Sequence, residues 1–260
     1  MALRAVLGHL LPLERAMDET IQERYLQVKQ RIERACVQAE RRLDEVKLIV
    51  VTKGHSSESI SEVVKAGALI LGENYPEETL KKMAEIKTDI HPLWHMIGHL
   101  QSRKIKMMHP SFSCIHSVDS FELAQKLNHF YEEKNAKIDV LIEVNISGEE
   151  SKYGFDGSSV EKRESLISTI EAICSFSHIK AIGLMTMPPY ADQPTQNEAC
   201  YNLCREYCEK IQNVTGLSDF KQLSMGTSAD FETAIKSGAT YIRVGEAIMG
   251  KRKNPKIIKV

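Results

Sequence analysis

Lys53 stands two residues past the last valine of an apolar run, Val46–Val51, and places an amine at the end of a buried segment. Holding a cation there without a partner is costly, so such a lysine is kept neutral, is paired, or reaches past the rim into water. Neutral, it is the nucleophile that condenses with an aldehyde. Paired, its partners would be Glu73 or Glu143. Far along the chain, Ser224-Met225-Gly226-Thr227-Ser228 brings a glycine, hydroxyls and several amides just before a helical pattern, and Arg243-Val244-Gly245 offers a second close backbone approach. Loops of this kind hold phosphate at the end of a strand, although Gly226 could equally permit a turn and Ser228 cap a helix. An amine and an anion cradle on one rim together ask for a phosphorylated aldehyde or ketone.

Other polar groups point less sharply. His95 and His99 are four apart, but Gly98 and the strand context between them spoil helical ligand geometry, so no metal site is expected. Asp119 and Glu143 could be paired carboxylates for acid–base work. Cys200, Cys204 and Cys208 recur every four residues, which reads as one apolar stripe of a helix. The six cysteines form no disulfide-like or CxxC pattern, and reduced thiols in a cytoplasmic protein are expected.

The elements that must position these groups follow from the hydrophobic pattern. Ile21, Tyr25, Val28, Ile32, Ala35, Ala39 and Leu43 recur at steps of three and four and predict one long amphipathic N-terminal helix. Val- and Ile-rich runs then follow at Val46–Lys53, Ala68–Asn74, Leu93–Gly98, Phe112–Val118, Ile138–Ile146, Ile179–Thr186, Phe220–Gly226 and Thr240–Gly245. Between them lie helical patterns such as Ser57–Lys65, Ser120–Glu133 and Glu198–Val214, the weakest being Arg103–Met108. Eight strands with alternating helices predict an α/β fold, a single (β/α)8 TIM-type barrel with the additional long N-terminal helix. A doubly wound sheet would need a glycine-rich phosphate turn after the first strand, and Lys53-Gly54-His55 is not one. In such a barrel the strand ends share one face, which gathers the polar residues above into a single site.

No Pro-, Gly- or Ser-rich linker divides the chain, so residues 14–250 are expected to form the one domain, with 1–13 a loose extension and 251–260 a basic, solvated tail. The 34 basic and 35 acidic side chains leave a net charge of −1, which gives no field to attract nucleic acid or an anionic membrane. No run reaches the roughly 18 apolar residues that a membrane span needs. A monomer is expected.

Eight ordered segments carry a family resemblance. Val51-Thr52-Lys53, Gly72-Glu73-Asn74-Tyr75, Trp94-His95-Met96-Ile97-Gly98-His99-Leu100-Gln101, Ser117-Val118-Asp119-Ser120, Val144-Asn145-Ile146-Ser147-Gly148 through Lys152, Gly183-Leu184-Met185-Thr186-Met187, Leu223-Ser224-Met225-Gly226 with Ser228 and Asp230, and Arg243-Val244-Gly245 resemble the pyridoxal phosphate homeostasis proteins. These are single-domain relatives of the N-terminal barrel of alanine racemase, and the resemblance runs from about Glu14 to Gly250. Departures are Gly54-His55 after the lysine, Pro76-Glu77 after Tyr75, and Thr227.

The resemblance implies pyridoxal 5′-phosphate as the cofactor, with Lys53 forming the internal aldimine. It implies phosphate contacts from Ser228 and from amides around Gly226, Thr227 and Gly245, with Ser224 in the same motif, Asn74 near the ring and Arg243 at the pyridine nitrogen. An arginine there keeps that nitrogen unprotonated and weakens the ring as an electron sink, which favours carrying the cofactor over carbanion chemistry. The function implied is intracellular vitamin B6 homeostasis with little or no turnover, with apo forms of pyridoxal phosphate enzymes as recipients. Racemases of this fold add a second domain for opposite-face proton transfer, and none is expected after Gly250 here. Two alternatives stand beside it: a pyridoxal phosphate-dependent amino-acid racemase using His95 or Glu143 as base, and a sugar-phosphate aldolase barrel with no bound cofactor.

Overall fold

The periodic segment after Thr20 forms α1 (Ile21–Gln38), which opens with a capping box: the Thr20 hydroxyl accepts from the Glu23 amide while the Glu23 carboxylate accepts from the Thr20 amide. Tyr25, Val28, Ile32, Ala35 and Cys36 form its buried stripe. The helix stops earlier than its hydrophobic spacing suggests. Glu40 takes a left-handed φ of 53°, and the Arg41 amide folds back onto the Cys36 carbonyl, so Ala39 and Leu43 fall outside it.

This computed structural model describes residues 19–189 and 194–251. The expected extension at 1–13, all of the tail beyond Lys251, and the middle of the connection from Met187 to Thr195 lie outside the described residues.

The expected runs become β1 (Lys47–Val51), β2 (Ile70–Glu73), β3 (Leu93–Met96), β4 (Phe112–Val118) and β5 (Ile138–Asn145), then β7 (Ile179–Met185), β8 (Gln222–Ser224) and β9 (Tyr241–Val244). A further two-residue strand, β6 (Phe155–Asp156), pairs with the end of β5 outside the ring. All pairings are parallel, in the order β1-β2-β3-β4-β5-β7-β8-β9. The β1–β9 ladder, running from Lys47 against Tyr241 to Val50 against Val244, closes the barrel. The crossovers are α2 (Ser57–Lys65), α3 (Pro76–Glu85), α4 (Phe121–Glu133), α5 (Val160–Cys174), α6 (Glu198–Thr215) and α7 (Phe231–Lys236), with the short α8 (Glu246–Met249) after β9. Between β3 and β4 the connection is a 3-10 turn, Ser102–Met107, where the helical pattern is weakest. Ser56, Ser120 and Ser159 each cap a helix by accepting from an amide three residues on, a contact worth about 1 kcal/mol.

Two apolar layers follow from the alternation along each strand. Val50, Leu71, Ile115, Ile142, Leu184, Ile242 and Val244 face outward into the large layer under the helices. Ile49, Cys114, Leu141, Ile182, Met185 and Tyr241 face inward and plug the barrel. Cys204 and Cys208 are buried on α6, the stripe their spacing implied, and all six cysteines are free thiols.

Candidate functional site

Parallel register puts the two chemical motifs side by side. Because Val50 pairs with Val244, Gly245 lies against Val51, and a Cβ built on that glycine would stand 3.3 Å from the Val51 Cβ. Lys53 is two residues further on, at the same end of the barrel. The parity of β1 also continues to it: Ile49 faces inward, and Thr52 turns outward to place its hydroxyl 2.6 Å from Glu73 Oε1. Alternation therefore assigns Lys53, which is half-buried, to the inner side.

The loops after β8 and β9 are joined through one hydroxyl. Ser228 Oγ accepts from the Gly245 amide at 3.1 Å and from the Ala247 amide at 3.4 Å. Below it, the Gly226 carbonyl accepts from the Arg243 amide at 3.0 Å. Thr227 is engaged as well: its amide and hydroxyl donate to Asp230 Oδ1 at 2.7 and 3.0 Å, while Asn197 and the Tyr201 hydroxyl donate to Asp230 Oδ2. Of the amides on these loops, those of Gly226, Ser228, Ala229 and Glu246 meet no acceptor among the described residues. Gly226, at a φ of +90°, serves packing more than open space, since a Cβ there would fall 2.5 Å from Ala234 Cβ.

Under this rim the barrel interior holds a chain of polar side chains. Arg243, 4% exposed, donates from Nη1 to Ser224 Oγ at 2.6 Å and from Nη2 to the Thr186 carbonyl at 3.1 Å. His116 Nδ1 lies 2.8 Å from the same Ser224 oxygen, and His116 Nε2 lies 2.9 Å from His95 Nδ1. Burial pushes His95 down to about 4 and holds His116 well below its ordinary value, so both rings are neutral at neutral pH. One consistent proton assignment runs from arginine outward: Arg243 donates to Ser224, Ser224 to His116, and His116 to His95. His95 and His99, four residues apart in the chain, are separated in the structure. His95 lies inside with His116 and Cys114, whereas His99 sits at the rim, 2.9 Å from Asp119 and stacked on Tyr153 at 3.7 Å. His116 was missed because it comes from the next strand; the inward alternation of β4 was its only signal.

Glu143 also faces this interior. Burial, with help from Asp119, raises its carboxyl to about 7, against the pull of Arg243. On the neighbouring side, Asn74 is squeezed against Gly98, where a Cβ would lie 2.7 Å from the asparagine Cα, Cβ and Cγ. The Asn74 Oδ1 is buried with no hydrogen-bond partner among the described residues. Such an orphaned acceptor is unusual and calls for a missing donor. A second group that the sequence did not reveal flanks Lys53: Lys82 on α3, buried, with Glu73 and Glu78 around its ammonium.

Known proteins resemble this chain in sequence and fold. The profile of the family described as alanine racemase, N-terminal domain, matches residues 28–253. A pyridoxal phosphate homeostasis protein from Aquifex aeolicus is 37% identical over 231 residues, covering 89% of this chain and 98% of its own. The human protein of that name is 32% identical over 239 residues, with 86% and 84% covered. Among solved structures, PipY of Synechococcus elongatus with pyridoxal phosphate bound superposes with a TM-score of 0.76 at 28% identity, over 89% of this chain and all of PipY. A (β/α)8 barrel whose rim joins Lys53 to the Ser228 and Gly245 loops, matched along nearly its whole length by these relatives, belongs to the pyridoxal phosphate homeostasis protein family.

Proposed function

We propose that this chain binds pyridoxal 5′-phosphate and holds it for cellular supply, with Lys53 as the attachment point and little turnover of its own. The observation that carries the reading is the adjacency of Val51 and Gly245, which sets the lysine and the loops around Ser228 on one rim.

The residues present fit the cofactor. Its phosphate is a dianion, and the rim offers the Ser228 hydroxyl together with amides at Gly226, Ser228, Ala229 and Glu246 that have no acceptor among the described residues. Gly226, Thr227 and Gly245 would shape that cradle, each held in place by the packing or hydrogen bonds already described. The ring hydroxyl of the cofactor is a donor of the kind that the buried Asn74 Oδ1 lacks. Arg243 would face the pyridine nitrogen, and Ser224 would fix its guanidinium. When bound, the cofactor supplies an aldehyde, which a neutral amine converts to a carbon–nitrogen double bond with loss of one water, and an electron-poor ring. A buried cation at the ring nitrogen opposes its protonation and so weakens that ring for carbanion chemistry. That is the physical reason for reading a carrier here and not a catalyst.

The test is to mix the purified chain with pyridoxal phosphate and follow visible absorption before and after borohydride. A yellow protein fixed by borohydride supports the reading. A colourless one overturns it and favours a cofactor-free aldolase barrel. A second reading rests on Glu143, whose carboxyl near 7 suits proton transfer at neutral pH. Racemisation, decarboxylation or transamination of an amino acid by the loaded protein would establish that enzyme instead. Apo forms of pyridoxal phosphate enzymes are the recipients we propose, and activity regained on mixing with the loaded chain tests them. Among the described residues no helix is long and apolar enough to cross a membrane. We read the compartment as the cytoplasm because its reducing conditions keep thiols such as these six free; the free chain is read as a monomer.

A further inference from the structure

The backbone on both sides of Lys53 is held by one ion cluster, buried at Lys82 and Glu73 and partly exposed at Glu78. Lys82 comes from α3, reaches Thr52 and Glu73 at the ends of β1 and β2, and is 5% exposed. Its ammonium has three hydrogens and three acceptors: the Thr52 carbonyl at 2.9 Å, Glu73 Oε1 at 2.6 Å and Glu78 Oε1 at 2.6 Å. Thr52 Oγ1 donates to the same Glu73 oxygen at 2.6 Å, and the Gly54 amide donates to Glu78 Oε1 at 3.1 Å. The cluster therefore grips the carbonyl that precedes Lys53 and the amide that follows its peptide unit, leaving only Lys53 itself between the two anchors. Glu73 is fully buried, and burial raises its carboxyl while Lys82 and Thr52 act to lower it. A cation and a carboxylate taken this far from water add little net stability as a pair, yet they fix geometry strictly, because either one left alone is a buried unpaired charge. Gly54 adopts a left-handed φ of 74°, so the chain leaves β1 through a turn that this cluster braces.

We propose that Lys82, with Glu73 and Glu78, is a positioning residue for Lys53: it holds the two flanking peptide units so that the amine meets the cofactor aldehyde from one fixed direction. This rests on the reading of Lys53 as the attachment point. Orientation is worth a great deal in such a step, since a displacement of about 1 Å can cost about a hundredfold in rate.

The test separates covalent capture from simple retention. Two probes are used on the full chain: pyridoxal 5′-phosphate, and 4-deoxypyridoxine 5′-phosphate, which keeps ring and phosphate but carries a methyl group in place of the aldehyde. For Lys82→Met and Glu78→Ala, we expect the rate of yellow adduct formation to fall about tenfold or more, while affinity for the deoxy compound stays within about twofold of the parent. Gly54 amide hydrogen exchange should speed up in Glu78→Ala. Glu78→Gln, which keeps an acceptor for both Lys82 and Gly54, should recover most of the lost rate. If Lys82→Met does not fold, Glu78→Ala, whose parent side chain is 28% exposed, decides the matter. Adduct formation at the parent rate in Glu78→Ala, or a parallel loss of deoxy-compound binding, would overturn the positioning role. A parent protein that yields no borohydride-fixed adduct on Lys53 would instead remove the functional reading on which it rests.

Discussion

Replacing Glu143 by glutamine should make the apoprotein's stability less sensitive to pH, and the size of the effect follows from its surroundings. The side chain is 6% exposed, and its carboxyl is raised from 4.5 to about 7, chiefly by burial and then by Asp119. Between those two values the folded chain holds a proton that the unfolded chain has released. The stability this group contributes is therefore fully present below 4.5 and is lost as pH rises through 7. At about 1.4 kcal/mol per pH unit, the ionised carboxylate costs the fold about 3 kcal/mol at pH 8. Glu143→Gln removes that cost and keeps the shape. It should leave stability at pH 4 nearly unchanged and raise it at pH 8 by up to about 3 kcal/mol, or about 6–12 °C in Tm for a domain of this size. Urea unfolding of the apoprotein at both pH values measures this directly. Adding Asp119→Asn should shrink the gain, because one source of the raised carboxyl is gone. An equal change at both pH values, or a less stable protein at pH 8, would refute the argument that Glu143 is buried with an unfavourable charge.

Three further outcomes are expected. Lys53→Ala should remove the yellow chromophore with circular dichroism unchanged, and a coloured, borohydride-stable variant would contradict the attachment point. Arg243→Gln should let the absorption of the bound cofactor respond to pH near neutrality, because the fixed charge that opposes ring protonation is gone; a spectrum unchanged across pH would count against that role. Gly98→Ala should cost about 1–3 kcal/mol in thermal unfolding and weaken cofactor retention, since the new methyl would fall 2.7 Å from Asn74 atoms. Full stability together with undiminished retention would show that Asn74 has room to move.

The barrel was legible because parallel strands covered on both faces read as continuous Val and Ile runs, and all eight expected runs contain strands. The end of α1 was not, because the apolar spacing runs on through Ala39 and Leu43 while Glu40, not a glycine, takes the left-handed turn. Nor was β6, whose two residues carry no periodicity and pair only with the end of β5. At the site, Lys53, Asn74, Arg243 and Gly245 could be gathered in advance, since the barrel brings strand ends together whatever their distance along the chain. The His95–His116–Ser224 chain could not, because its links depend on which inward residues of different strands share a level. Lys82 was hidden for a related reason: on an amphipathic helix it looks like a solvated cation, and only the placement of α3 against Thr52 and Glu73 buries it.

The most direct measurement is borohydride reduction of the protein loaded with pyridoxal phosphate, followed by mass mapping of its peptides. The account predicts one reduced pyridoxyl adduct per chain, on the peptide that carries Lys53. An adduct found instead on Lys47, Lys82 or a surface lysine, or none at all, would contradict it.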